Sequence, residues 1–108
     1  RKGAFVSSKT HRRETPLHIA CERGKLEVSR LLLDWDVDIS AKDTASSTPL
    51  HDACRLFCPD VVHLLLRRGA NKEAKDEAKY TPLHVACSCG RVGAARILLN
   101  RGANVEAT

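Results

Sequence analysis

Thr15-Pro16-Leu17-His18 returns as Thr48-Pro49-Leu50-His51 and again as Thr81-Pro82-Leu83-His84. Each copy stands 33 residues after the one before it. A four-residue motif repeated at one interval within 108 residues marks an array of a single supersecondary unit. Repeat arrays bury their core by stacking and present long surfaces for holding other molecules. A binding face is therefore to be sought before a catalytic cluster.

Aligned on this motif, the chain divides into repeat one (12–44), repeat two (45–77) and repeat three (78–108), with 1–11 as the tail of an upstream repeat. Each unit reads as two short helices. Thr15, Thr48 and Thr81 are natural N-caps, because a threonine oxygen accepts a free first-turn N–H. Pro16, Pro49 and Pro82 then stand at the first helical position, where a missing N–H costs nothing. Gly24 and Gly90 break the first helix. An apolar run follows in each repeat: Leu31-Leu32-Leu33, Leu64-Leu65-Leu66 and Ile97-Leu98-Leu99. Gly69 and Gly102 end the second helix in a conformation with positive φ. Asp36 holds that place in repeat one and tolerates it better than most residues. The polar stretch from Asn71 to Tyr80 suits a hairpin-like loop to the next unit.

The pattern resembles the ankyrin repeat family. The likeness rests on Thr-Pro-Leu-His, then Ala20-Cys21, Ala53-Cys54 and Ala86-Cys87, then the apolar triplets, then Gly69-Ala70-Asn71 and Gly102-Ala103-Asn104. It implies an all-α repeat solenoid of stacked antiparallel helix pairs with β-hairpin-like finger loops. It also implies non-enzymatic protein recognition on a concave face built from finger tips and first helices. Within such repeats the motif histidine bonds inside its own repeat and to the next hairpin, so His18, His51 and His84 are expected to be architectural. Arg13, Ser46 and Lys79 replace the usual finger-tip glycine. Repeat two departs furthest, with Phe57 where Gly24 and Gly90 stand. Pro59 is expected to start its second helix at the first helical position.

Composition narrows the setting. No apolar run reaches the length of a membrane-spanning helix. The net charge of +5 permits an acidic partner without demanding one. Arg12-Arg13 and Arg67-Arg68 are the only arginine pairs, and Glu14, Glu22, Asp52 and Glu77 share their predicted face. No basic stripe interleaved with aromatics appears, which argues against nucleic acid as the partner. The chain opens Arg1-Lys2-Gly3 and reads as an excerpt, so flanking ankyrin repeats are expected in the parent protein.

The five cysteines point to reduced thiols and an intracellular location, cytoplasmic or nuclear. Cys21, Cys54 and Cys87 share one repeat position and read as small core residues. Cys54, Cys58, Cys87 and Cys89, with His51 and His84, superficially suggest zinc. Equivalent residues in adjacent repeats are spaced by about 8–10 Å of helix packing, too far for shared ligation at about 2.3 Å. No metal or other cofactor is expected. A thiol-based metal or redox sensor is an alternative carried by the off-core thiols. Another is the substrate-receiving part of a SOCS-box ubiquitin-ligase adaptor, suggested by the Ala-Cys pairs. No phosphate loop, nucleophile elbow or paired-carboxylate cleft supports an enzyme.

Asp52 is informative because Ile19 and Val85 hold its position in the other repeats. Full burial of an unpaired charge costs several kcal/mol or more. Asp52 is therefore expected at a groove edge, paired with Arg55 or Arg23; structural pairing and partner contact both remain open. The family architecture gathers His11, Arg12, Glu14, Arg23 and Trp35 from repeat one into a candidate strip. Asp52, Arg55, Leu56 and Arg68 join from repeat two, and Tyr80 and Arg101 from repeat three. Trp, Tyr and Arg offer large contact area with a polar handle. The expected ligand is a protein or peptide with acidic and apolar features. The bland alternative is that Trp35 packs on its own repeat and the arginines are solvated.

Overall fold

The computed structural model of the chain describes residues 12–56 and 59–106. His11, Phe57 and Cys58 lie outside them, as does the assignment of 1–11 to an upstream repeat. Among the described residues there are six helices and no strand. They pair as α1 (Pro16–Glu22) with α2 (Leu26–Asp34), α3 (Pro49–Ala53) with α4 (Asp60–Arg67), and α5 (Pro82–Cys89) with α6 (Val92–Asn100). First helices stack on first helices, α1 on α3 and α3 on α5. Second helices do the same, α2 on α4 and α4 on α6. The result is an all-α repeat solenoid.

Each first helix begins with the same reciprocal cap. The Thr15 hydroxyl accepts from the His18 backbone N–H at 3.3 Å, while the Thr15 N–H donates to His18 Nδ1 at 3.1 Å. Thr48 with His51 and Thr81 with His84 repeat the arrangement. Two otherwise orphaned N–H groups are satisfied at each start. Nδ1 accepts, so Nε2 carries the ring proton, a tautomer assigned from the hydrogen-bond network. His18 Nε2 donates to the Ser47 carbonyl at 2.8 Å, and His51 Nε2 to the Tyr80 carbonyl at 2.8 Å. His18 and His51 thus join their helix starts to the next finger. His18 and His51 are fully buried. His84 is only half-buried, and its ring is bonded through Nδ1 alone among the described residues.

The second helices close as expected. Gly69 takes φ 92°, the Ala70 N–H reaches the Leu65 carbonyl at 3.0 Å, and the Gly69 N–H reaches Leu66 at 3.1 Å. These two bonds are a Schellman closure that satisfies terminal carbonyls. Asp36 takes φ 65° without a glycine's freedom. One boundary differs from expectation: α4 begins at Asp60, so Pro59 is its N-cap and not its first helical residue. With φ −83° and ψ 0°, Pro59 already has helix-like dihedrals, and its ring seats against Gly93 of α6.

The core is aliphatic: Leu17, Leu50, Val61, Val62, Leu65 and Leu98 are buried together with Ala53, Ala86, Cys21 and Cys54. Cys87 corrects its expected place in this core, for it is exposed. Cys21 lies in α1 and Cys54 is the C-cap of α3; a following first helix packs on each of these helices, and none of the described residues does this for α5. Val92 of α6 is 66% exposed, and Val28 and Leu31 of α2 are 49% and 57% exposed.

The fingers are built on aspartates. Asp43 Oδ1 accepts from the Ala45 and Ser47 N–H groups, and Asp76 Oδ1 from Ala78 and Tyr80, all at 2.9 Å. Ser46 and Lys79 take φ 60° and 67° at the tips. Each finger is tied to the one before it, by Thr44 N–H to the Arg12 carbonyl at 3.0 Å and Glu77 N–H to Ala45 at 2.9 Å.

Candidate functional site: a charged groove between fingers and first helices

A pocket of about 330 Å³ opens where the first two fingers meet α1 and α3. Arg12 and Glu14 line it from the first finger, and Asp43, Ala45 and Ser47 from the second. Glu22 ends α1, Asp52 lies in α3, and Arg55 follows it one turn later. Four carboxylates and two guanidinium groups therefore share one wall-to-wall space.

Asp52 is the buried member of this set, with 6% of its surface exposed. Its Oδ1 accepts from Arg55 Nη1 at 2.8 Å and from the Ser47 hydroxyl at 3.3 Å. Its Oδ2 is buried and has no hydrogen-bond partner. Burial raises the carboxyl from the ordinary aspartate value to about 6; Asp43 adds to the rise, while His18 and Arg55 oppose it. The expectation of a groove-edge position is corrected: Asp52 is buried. The pairing with Arg55 holds, and the ion pair and serine bond offset part of the desolvation cost. Arg55 itself is about half exposed, and its carbonyl accepts from Arg91 Nε at 2.6 Å.

Of the residues anticipated for a binding strip, the pocket brings together Arg12, Glu14, Asp52 and Arg55. Arg23 is the exposed C-cap of α1. Leu56 is half-buried beside Gly24, where an added Cβ would meet its Cδ1 at 3.4 Å. Trp35, Arg68 and Arg101 are the C-caps of α2, α4 and α6 and form a separate row. Within that row Arg68 is tied to Asp34 at 2.9 Å. Trp35 is 49% exposed. Tyr80 closes the third finger and stacks on His84 with ring centroids 5.5 Å apart. Asp43 and Ser47 were not singled out in the sequence. A signal existed for Asp43, since Asp76 recurs 33 residues later, whereas the stretch before repeat one has Thr10 at that place.

Among the described residues no group of three or more His, Cys, Asp and Glu is placed to hold a metal ion. Burial pushes the Cys21 and Cys54 thiols up to about 12, which keeps them protonated and unreactive at neutral pH. Cys87 is exposed and Cys89 half-buried. No helix among the described residues is long and apolar enough to cross a membrane.

Residues 2–76 match a family model described as ankyrin repeats (3 copies). Residues 65–108 match another, described as ankyrin repeats (many copies). No curated protein matches the chain.

Proposed function

We propose that this chain, which belongs to the ankyrin repeat family, holds a protein or peptide partner in the groove between its finger loops and first helices. Ankyrin repeats are protein–protein interaction modules, and nothing in the chain points to catalysis. The observation that carries the reading is the pocket itself. Residues from two fingers and two first helices converge there, and repeat two places the carboxylate of Asp52 where its neighbours carry Ile19 and Val85. The neighbouring repeats stack with apolar residues at that position, so stacking does not require a carboxylate there. The exposed Arg23 and the half-exposed Trp35 and Tyr80 suit acidic and apolar features in the same partner. The buried free thiols of Cys21 and Cys54 favour an intracellular setting, cytoplasmic or nuclear.

Affinity capture with the immobilised chain, read by mass spectrometry, tests the proposal when repeated with variants. Proteins retained by wild type should be lost with Arg55→Glu and weakened by about 1–2 kcal/mol with Trp35→Ala. They should be kept with Arg30→Glu and Arg96→Glu, which alter second helices. The opposite outcome, with binding lost only in the second-helix pair, moves the interface away from the groove.

A further inference from the structure

We infer that the pocket among Arg12, Glu14, Glu22, Asp43, Asp52 and Arg55 receives a basic side chain, arginine or lysine, from the bound partner. The inference rests on the groove being the binding face and names the chemistry of one contact within it. Four carboxylates face two guanidinium groups, so the lining is net acidic in a chain whose overall charge is +5. The local sign is thus opposite to that of the molecule. The second observation is independent of this count. Asp52 is buried to more than nine-tenths, and its Oδ2 has no hydrogen-bond partner. A buried carboxylate oxygen left without a donor is costly. Arg55 occupies only Oδ1, and Ser47 donates to the same atom. The missing group is a donor, and a cationic N–H is the strongest donor a carboxylate can meet. The volume of about 330 Å³ accommodates one long side chain.

The electrostatics give the contact a pH dependence. Asp52 titrates near 6 in the unbound groove. It faces His18 of α1, Asp43 of the second finger and Arg55 of its own repeat, with Arg12, Glu14 and Glu22 around the same space. A cation stabilises the ionised form, so binding weakens as pH falls through about 6 and Asp52 takes up a proton.

A random-peptide display library selected at neutral pH against the intact chain is the test. Selected peptides that shift the backbone amide resonances of Ala45 and Ser47 should share an arginine or lysine. Replacing that residue by norleucine should weaken binding to wild type about tenfold. The same replacement should have little further effect on Asp52→Asn, and a smaller effect on Glu22→Gln, which removes one exposed lining carboxylate, than on wild type. Circular dichroism of each variant reports its fold, so Glu22→Gln decides the matter should Asp52→Asn not fold. Groove-binding peptides without a shared basic residue, or with no coupling to either carboxylate, overturn this inference and leave the groove reading standing. Peptides that shift no finger-loop resonance overturn both.

Discussion

At Asp52 repeat two departs from the rule its neighbours follow, and the departure can be weighed. The position faces the core in the other repeats, where Val85 is buried and Ile19 half-buried. Replacing a buried ion pair with a packed apolar residue is often stabilising by about 1–4 kcal/mol. Arg55 would remain half exposed and solvated after the change. Asp52→Val should therefore raise stability by about 1–3 kcal/mol at pH 7, read from urea unfolding. The sign with pH follows from the raised carboxyl value of about 6 against an unfolded value of 3.8. Between those values the fold binds the proton more tightly than the unfolded chain, so the wild type loses this contribution as pH rises. The advantage of the variant should be largest above pH 6 and shrink below pH 4. An advantage constant across pH would mean that the charge is not its origin. The sequence shows the chemical exception at Asp52 through simple repeat alignment. It does not show the burial, because that depends on Ser47 and Arg55 folding over the carboxylate.

Elements in this chain are legible to the extent that their signals are local. The Thr-Pro starts and glycine stops lie within a few residues of the helix ends they define, and α1, α3 and α5 begin where they indicate. The expected place of Pro59 is one position too far inward, because its ring fixes a helix-compatible φ at the boundary without marking on which side of it the residue falls. The repeat position that Cys87 shares with Cys21 and Cys54 points to the core, whereas its exposure depends on what lies over α5. The C-terminus of α2 offers a direct check on stop chemistry. Asp36 holds φ 65° where α4 and α6 use glycine at φ 92° and 88°. The left-handed region is unfavourable for a residue with a Cβ, and glycine enters it without that penalty. Asp36→Gly should stabilise by about 0.5–1 kcal/mol, seen as a higher urea midpoint at unchanged slope. A lower midpoint would show that the aspartate side chain makes a compensating bond.

For the whole molecule the junctions between repeats carry stability, since stacked units contact only their neighbours. His18 and His51 each bridge a junction through Nε2, while His84 bonds only within its own repeat among the described residues. His51→Ala should cost about 1–3 kcal/mol by leaving the Tyr80 carbonyl unsatisfied, and His84→Ala should cost less. Equal losses in thermal or urea unfolding would refute the bridging role. Burial is the main cause holding His51 below its ordinary value of 6.5. Its contribution is complete above pH 6.5 and declines as pH falls and the unfolded chain takes up the proton first. The solenoid was readable from one repeated tetrapeptide, but the charged groove was not. It needs Asp43, Glu22 and Asp52 from three elements, and no periodicity links them. The finger ties have a mechanical consequence. At the fingers, the rings of His18 and His51 reach from one repeat to the Ser47 and Tyr80 carbonyls of the next, while helix bonds stay inside a repeat. Tension along the stack would load these ties and the apolar faces between stacked helices before any bond within a helix, so the array would lengthen by parting whole units as a spring does, with its coils still wound.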